Sequence, residues 1–202
     1  GLIINNQMSS MKRKRFITLM SVTALHFSFS GFENIKPPEP EKFYFKDDGK
    51  IPNSKLPLLL YRNAFTGKDD EGALWLEQRF ASNNWTNSWR NGIYSFHHYH
   101  STSHEVLGIY SGKALVHLGG EQGSKVEIAA GDIIIIPAGV GHKNLRSTGL
   151  GVVGAYPEGC SWDMNKGLTG ERPLADQNIA ALPIPQTDPL LGKNAGLIKL
   201  WN

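Results

Sequence analysis

The chain has 202 residues, of which 40% are hydrophobic and 19% charged, with 22 glycines, 11 prolines and a single cysteine. That length carries one core-forming domain with appendages, the lone cysteine excludes an intrachain disulfide framework, and the glycine and proline content suits short strands joined by turns. The formal charge of +3 includes four basic residues and no acidic ones before residue 31, so the chain without residues 1–30 carries −1 and offers no nucleic-acid surface.

Met11 opens a basic head, Lys12 to Arg15, followed by a mostly apolar stretch from Phe16 to Phe29 and small residues before Gly31. This is the pattern of a secretory signal peptide, and residues 1–30 are read as a leader. Export to the periplasm or the extracellular space is expected; an N-terminal arm on a cytoplasmic protein is the alternative. The stretch is short for a membrane span, so no stable membrane insertion is expected after leader removal. Residues 31–41 form a Pro-rich linker, and a single domain is expected over residues 42–202.

Within that domain Phe43 to Phe45 reads as a short strand, Asp47-Asp48-Gly49 as a turn and Leu56 to Tyr61 as a second strand. Ala73, Leu76 and Phe80 share one face of the only helix expected, with Asp69 or Asp70 capping its start. Trp85 and Trp89 read either as a packing plug or as the roof of a ligand pocket. Strands follow at 113–118 and 125–129, joined by a Gly-rich turn without the Lys-Ser/Thr ending of a phosphate loop. Residues 133–136 are apolar throughout, as in a strand covered on both sides, and 150–156 form the next strand. The loop from Pro157 to Met164 is expected to return over the barrel mouth, with Cys160 a spectator thiol. A wrapped tail follows Leu182, and Leu197 to Trp201 reads as a last edge strand or a docking contact.

The chemistry lies between Gly92 and His142. Alternation from Tyr94 to His100 predicts a strand with Tyr94, Phe96, His98 and His100 on one face and Ser95, His97 and Tyr99 on the other. Residues two apart on a strand are roughly 6.6 Å apart. A turn at residues 101–104 and a return strand over 105–110 bring Glu105 across to the two imidazoles. A second turn, Pro137 to Gly141, delivers His142. Three neutral imidazoles and one carboxylate suit a single divalent transition metal, among iron, manganese, nickel and zinc, with positions left for water or substrate. A histidine on a strand face is ordinarily a satisfied polar residue, but four such groups buried together without an ion must each find a partner. His97 points the other way by parity, His104 sits in the turn and His117 is on another strand; these three are read as non-ligands.

Written as Gly92-x5-His98-x-His100-x4-Glu105-x6-Gly112, the first half of this region resembles the first cupin motif. Gly131-x5-Pro137-x-Gly139-x2-His142 resembles the second. Arg146 stands where the family usually has Asn, with Asn144 nearest; that Asn is not a ligand, so the departure bears on local packing. Phe43 to Asn53, Trp89 to Tyr94, His100 to Gly108 and Gly154 to Pro157 further resemble the YjlB-like cupins, as do Thr187-Asp-Pro and Leu200-Trp201. The resemblance implies an all-β antiparallel jelly-roll barrel with one short N-terminal helix, extended terminal arms and a metal inside its mouth. His98, His100, Glu105 and His142 would be the ligands. The expected function is a mononuclear metalloenzyme, a dioxygenase-type oxidoreductase or an isomerase or lyase. Its substrate would be a small hydroxy acid, keto acid, sugar acid or diol that chelates the metal. Glu105 leads the catalytic candidates, with Tyr94, Tyr156 and Asp163 beside it. A binding module without turnover and a metal-free isomerase are the alternatives, and a homodimer built on edge strands is left open.

Overall fold

A computed structural model describes residues 39–201; the leader and most of the Pro-rich linker lie outside the described residues. The strands are β1 (Glu41–Phe43), β2 (Leu58–Tyr61), β3 (Trp85–Asn91), β4 (Glu105–Leu118), β5 (Ser124–Ala129), β6 (Ile133–Ile136) and β7 (His142–Pro157). Three helices accompany them: α1 (Asp69–Ser82), α2 (Leu174–Ala181) and α3 (Leu197–Leu200). Every strand pairing is antiparallel, in the order β1-β2-β6-β4-β7-β3 with β5 added to β4. The result is an all-β jelly-roll barrel. No helix among the described residues is long and apolar enough to cross a membrane.

The apolar runs of the sequence are explained by two cores, one on each side of the sheet. Along β6, Ile133 and Ile135 enter one cluster while Ile134 and Ile136 enter the other. Strand β2 divides the same way, Leu59 and Tyr61 against Leu58 and Leu60. Period-two geometry therefore buries every residue of a strand packed on both faces. The inner cluster, with Leu107, Val116 and Ile128, fills the barrel. The outer cluster is completed by Ala73, Leu76 and Phe80 of α1 and by Leu190, Leu197 and Trp201 of the C-terminal tail. Strand β5 has the barrel on one side only, so Val126 and Ile128 are buried between exposed or half-buried neighbours.

Strand β4 is the spine. Its first residues pair with β6 and β7, its last with β5 and β7, without the break expected between residues 110 and 113. Gly112 makes this continuity feasible: it adopts φ +65°, and a Cβ there would lie 2.2 Å from the Thr148 carbonyl oxygen. Strand β7 likewise begins at His142, earlier than expected.

Other expectations are corrected. Residues 92–100 form no regular strand; only His98 and Tyr99 make isolated bridges, to His142 and Asn165. Helix α1 is capped by neither aspartate: Lys68 is its N-cap, without a side-chain cap bond, while Asp69 and Asp70 lie in its first turn, where the helix dipole favours negative charge. The C-terminal edge strand is instead the short helix α3, and α2 is an unforeseen addition. Both are too short for local propensity to reveal and are held by docking, with Leu197 buried and the Trp201 indole donating to the Pro57 carbonyl at 2.8 Å.

Candidate metal centre

His98, His100, Glu105 and His142 come from three separate pieces of chain and meet inside the barrel, none more than 5% exposed. One ring nitrogen from each imidazole lies within 4.8 Å of the other two. Glu105 begins β4, and its Oε2 lies 3.3 Å from His142 Nε2 and 3.5 Å from His100 Nε2. Backbone pairing fixes the meeting point. His98 and His142 exchange both main-chain hydrogen bonds, at 3.2 and 3.0 Å, and the Gly139 N–H donates to the His100 carbonyl at 2.8 Å. Gly139 holds φ +91°, and a Cβ there would meet the Asn53 carbonyl oxygen at 2.3 Å, so the turn before His142 requires glycine.

The opposite side of each imidazole faces a main-chain carbonyl. His100 Nδ1 lies 2.5 Å from the Asp163 oxygen, His142 Nδ1 3.2 Å from that of Val140 and His98 Nδ1 3.4 Å from that of Phe96. A carbonyl only accepts, so Nδ1 carries the proton in a neutral ring and the Nε2 lone pair faces inward. Glu105 Oε1 is satisfied by the Tyr156 hydroxyl at 3.0 Å, while buried Oε2 has no hydrogen-bond donor among the described residues. With the rings neutral, three lone pairs and an anionic oxygen thus converge on one point. This donor set fits a divalent cation.

The electrostatics agree. Burial, reinforced by the neighbouring His142 and His100 rings, lowers His98 to about 3, so it is neutral at physiological pH. Burial also disfavours charge on His100, but the Glu105 carboxylate outweighs it and raises this group above its ordinary value. Glu105 itself is pushed up by burial and pulled further down by His100 and His142, leaving it ionised. Without an ion, a proton on His100 is the positive charge available to that carboxylate.

A cavity of about 450 Å³ opens from this cluster, walled by Trp89, Ile93, Tyr94, Leu107, Tyr156, Trp162 and Met164 as well as the three histidines and Glu105. The Trp89 indole donates to the Tyr156 oxygen at 2.8 Å, and Tyr156 donates onward to Glu105. Burial and the nearby Glu105 charge push the Tyr156 phenol well above its ordinary range, so it keeps its proton and acts as a hydrogen-bond donor. Tyr94, about half exposed, stands edge-on to His98 at the cavity mouth, 5.2 Å between centroids.

Asp163 has a different task. Both carboxylate oxygens are taken, Oδ1 by the Ser101 N–H at 2.6 Å and Oδ2 by the Ser101 hydroxyl at 2.5 Å and Asn165 Nδ2 at 2.7 Å. Its carbonyl, not its carboxylate, serves the centre by orienting His100. The loop from residue 157 to 164 does return over the barrel mouth. Trp162, not singled out in the sequence, lies 5.1 Å from the His100 ring and stacks near Tyr156. Cys160 is exposed and outside the cavity lining. Of the two tryptophans, Trp85 is buried in the outer cluster and Trp89 lines the cavity, so each alternative holds for one.

This jelly roll with an inward His-x-His, glutamate and second-turn histidine defines a class, and residues 91–151 match the cupin domain family. More narrowly, the chain belongs to the YjlB-like cupins: it is 40% identical over 165 residues to Uncharacterized protein YjlB of Bacillus subtilis (strain 168), covering 81% of this chain and 97% of that one. Solved structures overlap it only in part. Acireductone dioxygenase from Bacillus anthracis, with a cadmium ion in its active centre, is 19% identical over 45% of this chain and 63% of that one, TM-score 0.32. A DUF861 family protein from Thermotoga maritima is 26% identical over 39% of this chain and 83% of that one, TM-score 0.27.

Proposed function

We propose that this cupin is a mononuclear metalloenzyme acting on a small oxygenated substrate, a hydroxy acid, keto acid, sugar acid or diol. The supporting observation is the acceptor-only convergence of three imidazole nitrogens and Glu105 Oε2 beneath a cavity of small-molecule size. His98, His100, Glu105 and His142 would hold the ion, of which iron, manganese, nickel and zinc all suit the set. When bound, such an ion supplies Lewis acidity toward substrate oxygens.

The chain's own residues do the rest. Trp89, Leu107, Trp162 and Met164 surround the substrate with apolar surface that excludes water. Arg90 at the rim is bound to Glu77 by two hydrogen bonds, at 2.7 and 2.8 Å, so it is not a free cation for a substrate carboxylate. Oxygen-rich groups are therefore directed to the cluster. Tyr156 keeps its proton and donates a hydrogen bond to Glu105 Oε1, which leaves Oε2 as the oxygen that can take a proton from substrate and give it back.

The test is elemental analysis of protein from its own host, then a screen of those substrate classes with the metal found. Turnover should vanish with chelator and return with one metal. Ligand affinity without product would assign the pocket to a binding module instead. His100→Ala should lower metal content more than about tenfold, since loss of a supporting contact alone costs 10- to 100-fold.

A further inference from the structure

Beyond the barrel wall stands a second imidazole pair. His97 precedes His98 and faces away from it; His117 sits on β4 between Val116 and Leu118, which fill the barrel, and so faces outward. Their ring centroids are 4.9 Å apart. Glu121, in the turn between β4 and β5, reaches the same point, its Oε1 3.4 Å from His97 Nε2. One ligand atom from each of the three lies within 4.8 Å of the others.

The pairing of these nitrogens is incomplete. His117 is 3% exposed and the His97 side chain 9%, yet both nitrogens of His97 and Nδ1 of His117 have no hydrogen-bond partner among the described residues. Buried polar atoms are ordinarily paired, and three orphans on two adjoining rings beside an exposed carboxylate need an explanation. Packing alone gives none, because apolar side chains would fill the volume without the desolvation penalty. Imidazole nitrogens with one carboxylate are a ligand set for zinc-like dications, and three protein ligands leave a coordination position for solvent.

We infer that His97, His117 and Glu121 form a second, peripheral binding site for a zinc-type divalent metal, separate from the barrel interior. Lys143, 2.6 Å from Glu121 Oε1, is the resident counter-charge. A metal ion displaces its ammonium from the carboxylate, which makes Lys143 a competitor whose removal tightens binding. The site ties the β4–β5 turn to the segment that carries His98 and His100, linking the outer metal to the inner one through adjacent residues.

The experiment is zinc binding to the metal-stripped full chain by equilibrium dialysis with elemental analysis. Wild type should hold two zinc ions per chain. His117→Asn and Glu121→Gln should each hold one, and Lys143→Gln should bind the second ion more tightly than wild type. Glu121 is largely exposed, so Glu121→Gln decides the matter if His117→Asn fails to fold. A His98→Ala, His142→Ala double variant should keep one zinc, lost on adding Glu121→Gln, which separates this site from the interior one. A His98→Ala, His142→Ala double variant that holds no zinc, or zinc content unchanged by Glu121→Gln and His117→Asn, overturns the assignment.

Discussion

Glu105→Gln separates a metal ligand from an ordinary buried carboxylate. The Tyr156 hydroxyl donates to Oε1, so the glutamine must present its carbonyl oxygen there, and its amide NH2 then occupies the Oε2 position. At that point it faces His142 Nε2 at 3.3 Å and His100 Nε2 at 3.5 Å. In the metal-free wild type a proton on His100 serves the Glu105 carboxylate, and in the variant the amide NH2 takes over as donor to the imidazole lone pairs. The metal-free variant thus trades a charged contact for a neutral one and should lose no more than about 1–3 kcal/mol against metal-free wild type. Its metal response should be lost. Free metal at a hundred times Kd stabilises a folded protein by about 2.7 kcal/mol. At roughly 2–4 °C per kcal/mol for a domain of this size, that is a rise of about 5–11 °C for wild type and almost none for the variant. Differential scanning calorimetry with and without metal, beside elemental analysis, reads both effects. Wild-type metal content and melting response in Glu105→Gln would refute the ligand assignment.

Asp163→Asn should lower stability by about 1–3 kcal/mol at pH 7, because hydrogen bonds to a charged acceptor are lost. Burial pushes this carboxyl up, but the bonds from Ser101, Asn165 and Thr102 outweigh it and hold it below its ordinary 3.8. The stabilisation is thus full above that value and lost as pH falls through the lower folded-state value, so the gap between variant and wild type in urea melts should shrink in acid. Gly154→Ala places a Cβ 2.2 Å from the Trp89 ring; displacing the indole breaks its bond to Tyr156 and should cost about 1–3 kcal/mol with a shift in tryptophan emission. Trp201→Ala removes a side chain only 1% exposed whose indole holds the Pro57 carbonyl, and should cost about 3–5 kcal/mol in chemical denaturation, unfolding α3 from the outer core first. Unchanged denaturation midpoints would count against each of these three.

What the sequence by itself determined was which four side chains meet inside the barrel and that the sheet is covered on both sides. Parity placed His98 and His100 on one face, and the two do point inward together although residues 92–100 form only isolated bridges. The run Ile133 to Ile136 announced burial on both faces because nothing else keeps four consecutive isoleucines from water. Only the tertiary structure decided the two tryptophans. Four residues apart on one strand, Trp85 and Trp89 would share a face, but β3 shifts register between Thr86 and Trp89, with Asn87 at φ +55°, and this irregularity sends one ring to the outer core and the other to the cavity. The same holds for His97: parity turned it away from His98, but its neighbours His117 and Glu121 lie some twenty residues on and arrive only through the pairing of β4, β5 and β7. Periodicity is a local property of the chain, whereas the meeting of distant side chains is set by register, and register is fixed by packing across the whole barrel.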